Sequence, residues 1–330
     1  MRDQKIKLEK KAKLMTVKNR ILFSLLPLMF VIISIFLFEQ MLDIGFSEKL
    51  SSLPGRQIAE NDNGPVYQIG VVSRFSPSLL YRGYQPLISY LNRMTPYSFE
   101  LRLNRSYDQA VQELASGKLQ AAFLGTYIFL TYMDKQPINA FLAPLNPDGK
   151  PHFQIVLITR EDFPFRSLRD FSAKRIGVPA PMSFSGNWLQ KFVLPQNWPV
   201  TLAPPRFISY DFHHTVVQHV LRGDLAGGVV KDRVAAEYTG KGIRIIRKSR
   251  FIPASPLVKG PASKKQIIDA IQTVLTNIPA ENVHILTQWD AEFQHGFVRV
   301  DDETYKRFKQ ELTMIKEKKQ YANFPALQDN

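Results

Sequence analysis

The segment PAPMSFSGNW, residues 179–188, sets Ser183, Ser185 and Gly186 between an apolar run, KRIGV, and an amphipathic one, NWLQKFVL. This spacing reads as the turn by which a strand enters a helix. The first N–H groups of a helix have no partner inside it, and the helix dipole gives that end partial positive charge. Two hydroxyls beside such amides can donate hydrogen bonds to a small oxyanion without a full counter-charge. A plainer role fits the same residues, since serine ahead of a helix is a common N-cap. No lysine follows the glycine in the register of a Walker loop, and the G-x-S-x-G of a nucleophile elbow is missing.

A second segment, SYDFHHTVVQHVLRGDLAGGVVKD (209–232), repeats the passage from strand end to helix and carries His213 and His214 at the helix start. A histidine there can donate to the same anion. The alternative is a histidine on the helix surface, above all for His214. The six histidines, at 152, 213, 214, 219, 284 and 295, show no H-x-x-x-H or H-E-x-x-H spacing. With no cysteine there is no thiol nucleophile, thiolate metal site, disulfide or lipid-attachment site. The expectation is a binding protein rather than an enzyme, with no catalytic residue, metal or cofactor.

The elements that must position these turns alternate along the chain. YQIGVV, FELRL and LQAAFLG read as strands, separated by the helices YQPLISYLNRM and SYDQAVQELASG, the second with Ala110, Val111 and Leu114 on one face and Gly117 as its stop. That is β-α-β-α-β with a parallel core. The rhythm restarts with strands FQIVLITR and KRIGVPA, helix FSGNWLQKFVL, strand RFISYD, helix HHTVVQHVLRGD and strand LAGGVV. Residues 262–330 read as mostly helical. Two α/β units of similar pattern imply a two-lobed body with a cleft between the lobes, and ligands of open α/β sheets sit at the carboxyl ends of strands.

The N-terminal part carries a different signal. Residues 1–20 hold eight Lys/Arg against two acids, so they supply +6 of a formal net charge of +14. ILFSLLPLMFVIISIFLF, residues 21–38, is free of charge and near the minimum length for crossing a hydrocarbon core. It reads as an uncleaved transmembrane anchor. A cleaved signal peptide is the rival, but the apolar run is long and EQMLDIGFSEKL offers no small-x-small cleavage site. The positive-inside rule then keeps residues 1–20 in the cytoplasm, makes residues 39–65 a stalk, and places the rest outside. A basic exported domain favours an anionic partner, and its location argues against nucleic acid.

Several blocks taken together resemble the phosphate, phosphite and phosphonate-binding proteins of ABC importers. They are YQPLISYL, SYDQAVQELASGKLQAAFLGTYIFL, SLRDFSAKRIGVPAPMSFSGN, HHTVVQHVLRGDLAGG and GFVRVDDETY, in the family's order over residues 66–313. The resemblance implies a type II periplasmic-binding-protein fold, with lobe 1 from residues 66–155 and 250–330 and lobe 2 from 156–249. It implies that Ser183, Ser185, Gly186 and His213 hold ligand oxygens from the second lobe, and that Tyr127 and Tyr84 or Tyr81 approach from the first. Phe184 stands where the family has threonine. Ala226 and Gln120 stand where it often has aspartate, a loss that argues against an aminophosphonate, and Asp232 is a candidate replacement. The implied partners are a small anionic ligand, the inner membrane through residues 21–38, and an ABC permease. An uncleaved anchor also suits a ligand-sensing module that signals to a membrane-bound kinase or cyclase.

Overall fold

VYQIGVV forms a strand whose Ile69 and Val71 are fully buried. The computed structural model describes residues 64–72, 77–194 and 198–317, together with Met29, Ile33 and Ser34. In chain order the first part comprises β1 (Val66–Val72), α1 (Pro77–Met94), β2 (Ser98–Asn104), α2 (Tyr107–Ala115), β3 (Ala121–Phe123), α3 (Thr126–Tyr132) and β4 (Asn139–Pro144). After β5 (His152–Phe153) come β6 (Ile155–Arg160), β7 (Arg175–Val178), α4 (Phe184–Asn187), β8 (Arg206–Ser209), α5 (His213–Leu221), β9 (Gly227–Lys231), α6 (Asp232–Ala236) and β10 (Ile243–Lys248). Helix α4 continues as a π-helical turn over Trp188–Val193. The chain returns through β11 (Ile252–Pro253) and β12 (Leu257–Lys259) to α7 (Lys265–Thr276), 3-10 turns at Ala280–Gln288, β13 (Phe297–Arg299) and α8 (Asp302–Glu317).

Two sheets result. The first runs β13-β4-β12-β3-β1-β2 and the second β10-β6-β9-β7-β8. In the first, β1 pairs in parallel with β2 and β3; in the second, β7 pairs in parallel with β8 and β9. Each sheet therefore has a parallel core of three strands in which the earliest lies in the middle, as the repeated β-α-β rhythm requires. The expected parallel core is present, and the remaining strands depart from it. Strands β12, β4 and β13 of the first sheet, and β6 and β10 of the second, are antiparallel to their neighbours. The reason is topological. A chain that leaves one sheet for the other and comes back re-enters without the crossover helix that keeps strands parallel.

The helices cover the sheets with the faces their sequences offer. Helix α2 starts at Ser106, whose side chain accepts from Gln109 N, and buries Ala110, Val111 and Leu114. Gly117 then takes a φ of 77°, the left-handed conformation that ends a helix without Cβ strain. Helix α5 buries Val216, Val217 and Val220 against the second sheet, while Leu221 stays partly exposed. The short strands β5 and β11 pair with each other, Phe153 opposite Ile252 and His152 opposite Pro253, and carry the chain between the two halves. Buried Tyr305 of α8 donates from Oη to the Ala254 carbonyl at 2.9 Å and ties the return segment in place.

The chain divides into two units, Met1–Pro54 and Gly55–Asn330, and every described strand belongs to the second. The expected anchor, residues 21–38, lies outside the described residues apart from helical Met29, Ile33 and Ser34, and so do residues 1–20 and 39–63. Among the described residues no helix is long and apolar enough to cross a membrane.

Candidate functional site

The turn 179–187 is fixed by its own hydrogen bonds. Ser183 is extended, with φ −114° and ψ 155°, and caps α4: its Oγ accepts from Gly186 N at 2.9 Å and donates to the Ala180 carbonyl at 2.8 Å. The N-cap role is thus filled. Asn187 Nδ2 donates to the carbonyls of Pro181 and Ser183 and draws the turn over the helix start. Gly186 is required by space, because a Cβ there would meet the Ala180 and Pro179 carbonyl oxygens at 2.5 and 2.7 Å. Buried Ser185 follows on the same turn.

A cavity of about 30 Å³ brings several of the expected residues together. Ser183, Ser185 and His213 from the second half line it with Tyr127 from the first. Each reaches it from a strand's carboxyl end. Tyr127 follows β3, the serines follow β7, and His213 opens the helix after β8. His213 is buried, and its Nδ1 accepts from Lys231 N at 3.2 Å, so the neutral ring carries its proton on Nε2. That tautomer makes Nε2 a donor.

Other expected residues lie elsewhere. Tyr84 is buried in the first half between Phe123 and Phe293, with edge-on ring contacts at 5.1 and 4.9 Å. Tyr81 is 54% exposed on α1. Neither lines the cavity. Gln120 supports α7 instead, with its Oε1 accepting from Lys264 N at 2.8 Å. Ala226 lines a separate surface pocket beside Arg160 and Lys174. Neither of these two departures from the family pattern touches the cavity, so they do not decide its chemistry. Asp232 is turned away from it, accepting from Gln154 N and Arg233 N, both at 2.9 Å. His214 pairs with Glu237 at the surface.

Two further residues shape the site, Phe184 at the family's threonine position and Lys231, which was not expected. Phe184 is 5% exposed and sets its ring perpendicular to that of Tyr127, centroids 5.4 Å apart, so much of the space between the halves is filled by aromatic carbon. The volume that remains is on the scale of one water molecule. Lys231, the last residue of β9, is the one side chain of full formal charge lining the cavity among the described residues. In sequence it reads as a lysine at a strand end, which is ordinarily solvated. Its burial arises only where the two halves meet.

Comparisons with known proteins bear on the fold and the family. The phosphonates-binding periplasmic protein of Escherichia coli (strain K12) is 24% identical over 206 residues, covering 57% of this chain and 59% of that protein. A binding protein component of an ABC phosphonate transporter from Pseudomonas aeruginosa superposes with a TM-score of 0.65 at 19% identity, covering 80% of this chain and 91% of that one. PhnD1 of Prochlorococcus marinus, solved with methylphosphonate, gives 0.60 at 13% identity over 76% of this chain and 98% of that one. At such identities the two structures speak for the fold, two α/β lobes of the periplasmic-binding type. The family model for ABC transporter phosphonate periplasmic substrate-binding proteins matches residues 69–305, and the chain belongs to that family.

Proposed function

We propose that this chain is an extracytoplasmic solute-binding protein that closes its two halves on a small oxyanion of the phosphonate, phosphite or phosphate kind and delivers it to an ABC permease. On this reading residues 21–38 anchor it in the inner membrane, with residues 1–20 in the cytoplasm and 39–65 as the stalk. The lobes divide at residues 155–156 and 249–250. The observation that carries the reading is the convergence of Ser185, His213 and Tyr127 on one cavity at strand carboxyl ends of both halves. Hydroxyls, a ring N–H and helix-start amides are donors suited to a dehydrated anion. A phosphonate is larger than the present cavity, so binding requires the halves to part or the Phe184 ring to move.

Thermal unfolding of the full-length chain with inorganic phosphate, phosphite, methylphosphonate and sulfate tests this. A ligand present at about one hundred times its dissociation constant stabilises by about 2.7 kcal/mol. Ser185→Ala combined with Tyr127→Phe is expected to abolish the shift while preserving the circular dichroism spectrum. Ser183 is the wrong choice for this purpose, because losing the cap destabilises by about 1 kcal/mol whether or not it touches ligand. A shift that survives the double change puts the anion somewhere else.

A further inference from the structure

Lys231 holds its ammonium in the interior between the halves, where its side chain is only 10% exposed. Nζ donates to Glu292 Oε1 at 2.7 Å, lies 3.5 Å from Ser255 Oγ and stands 4.5 Å from the centroid of the Phe153 ring. The same lysine lines a neighbouring pocket of about 510 Å³, and Glu292 lines that larger pocket but not the small cavity. Lys231 and Phe153 both line the two pockets and so form the wall between them, with the carboxylate partner of Lys231 on the far side.

Glu292 does not belong to Lys231 alone. Arg233 Nη2 is 3.8 Å from Glu292 Oε2 and 3.7 Å from Asp290 Oδ1. Two cations thus face two carboxylates, but neither carboxylate lines the cavity, whereas Lys231 does, in a low-dielectric setting where charge acts at its strongest. Among the described residues no acid lines the cavity, and Asp232 and Glu292 line only the larger pocket.

We propose that Lys231 determines specificity: it supplies the counter-charge for a small anion in the cavity and rejects ligands that carry an ammonium group close to the acid. This rests on the oxyanion reading above. An anion beside a buried ammonium gains an attraction that hydroxyls do not supply, whereas an aminoalkyl tail brings like charges together without a facing carboxylate.

The test is titration calorimetry of the full-length chain with methylphosphonate and 2-aminoethylphosphonate. The wild type is expected to prefer methylphosphonate by about tenfold or more. Lys231→Met with Glu292→Gln removes both charges of the pair and leaves no orphaned ion. It is expected to weaken methylphosphonate by about tenfold and to bring the two ligands within about threefold of each other. Lys231→Arg, which keeps the charge, is expected to retain the preference, a result that a purely structural lysine does not predict. Unchanged preference in the double variant, or equal binding of the two ligands by the wild type, overturns the role of Lys231 and leaves the oxyanion reading standing. A wild type that binds neither ligand overturns the role of Lys231, and one that also fails to bind inorganic phosphate and phosphite sinks both readings. The wild-type comparison decides even if a variant fails to fold.

Discussion

Phe184 follows the capping serine of α4 and spends its ring on packing against Tyr127, Phe192 and Phe308. A smaller polar residue at that position would leave space and add a hydroxyl facing Tyr127. On the proposed function, Phe184→Thr is expected to strengthen methylphosphonate binding in a calorimetric titration. The variant should also lose stability on the order of 3 kcal/mol, as burial of the ring is given up. Weaker binding in a folded variant would show that the ring supports the site rather than restricting it. At this scale the placement of the serines and His213 at strand ends was legible, because residue type and flanking pattern suffice to mark a helix start. The roles of Tyr84 and Tyr81 were not, since a spacing of three on a helix does not say which ring turns into the core.

Arg102 and Asn104 of β2 reach across to buried Glu113 of α2, Arg102 through Nε at 2.7 Å and Nη2 at 2.8 Å, and Asn104 through Nδ2 at 2.8 Å. Gln109 and Lys118 complete the set at 3.2 Å each. The Arg102 guanidinium holds the Glu113 carboxyl well below the usual range, at about 2, and Asn104, Gln109 and Lys118 add to the effect against the cost of burial. A depressed carboxylate pKa contributes stability that is present above the unfolded value of 4.5 and lost as pH falls through the folded value of about 2. Glu113→Gln is therefore expected to lower unfolding stability at pH 7 by on the order of 3 kcal/mol, with the difference narrowing as pH falls from about 4.5 toward 2. Urea titrations across that range check it, and a difference that does not change with pH refutes the linkage. Helix α2 itself was legible as a segment, from its inward face of Ala110, Val111 and Leu114 to its stop at Gly117, while the Ser106 cap came from the structure. Strand β4, helix α3 and strand β13 were not. TYIFLTY is apolar around most of its surface, so it shows no helical period, and both β4 and β13 pair antiparallel with segments remote in sequence.

Lys231 and Glu292 join the halves of the folded unit, one at the end of a strand in the second sheet and the other beside Phe293, whose ring packs on Phe123 of the first. Removing one partner of a buried pair leaves the other uncompensated, so Glu292→Gln is expected to cost about 3 kcal/mol in chemical denaturation. Lys231→Met added to it is expected to recover most of that loss, a coupling that a double-mutant cycle measures directly. Additive losses would mean that the pair does not hold the halves together. By itself the sequence determined two β-α-β rhythms, the donor-rich turns at their strand ends and the family to which they belong. Periodicity, capping and turn chemistry are local properties, and they survive in a linear string. Only the tertiary structure decided that Phe184 closes on Tyr127, that Tyr84 faces its own core, and that a strand-end lysine becomes the charge in the cavity wall. These follow from how two separate sheets meet, and no local pattern encodes the distance between residues brought together by that meeting.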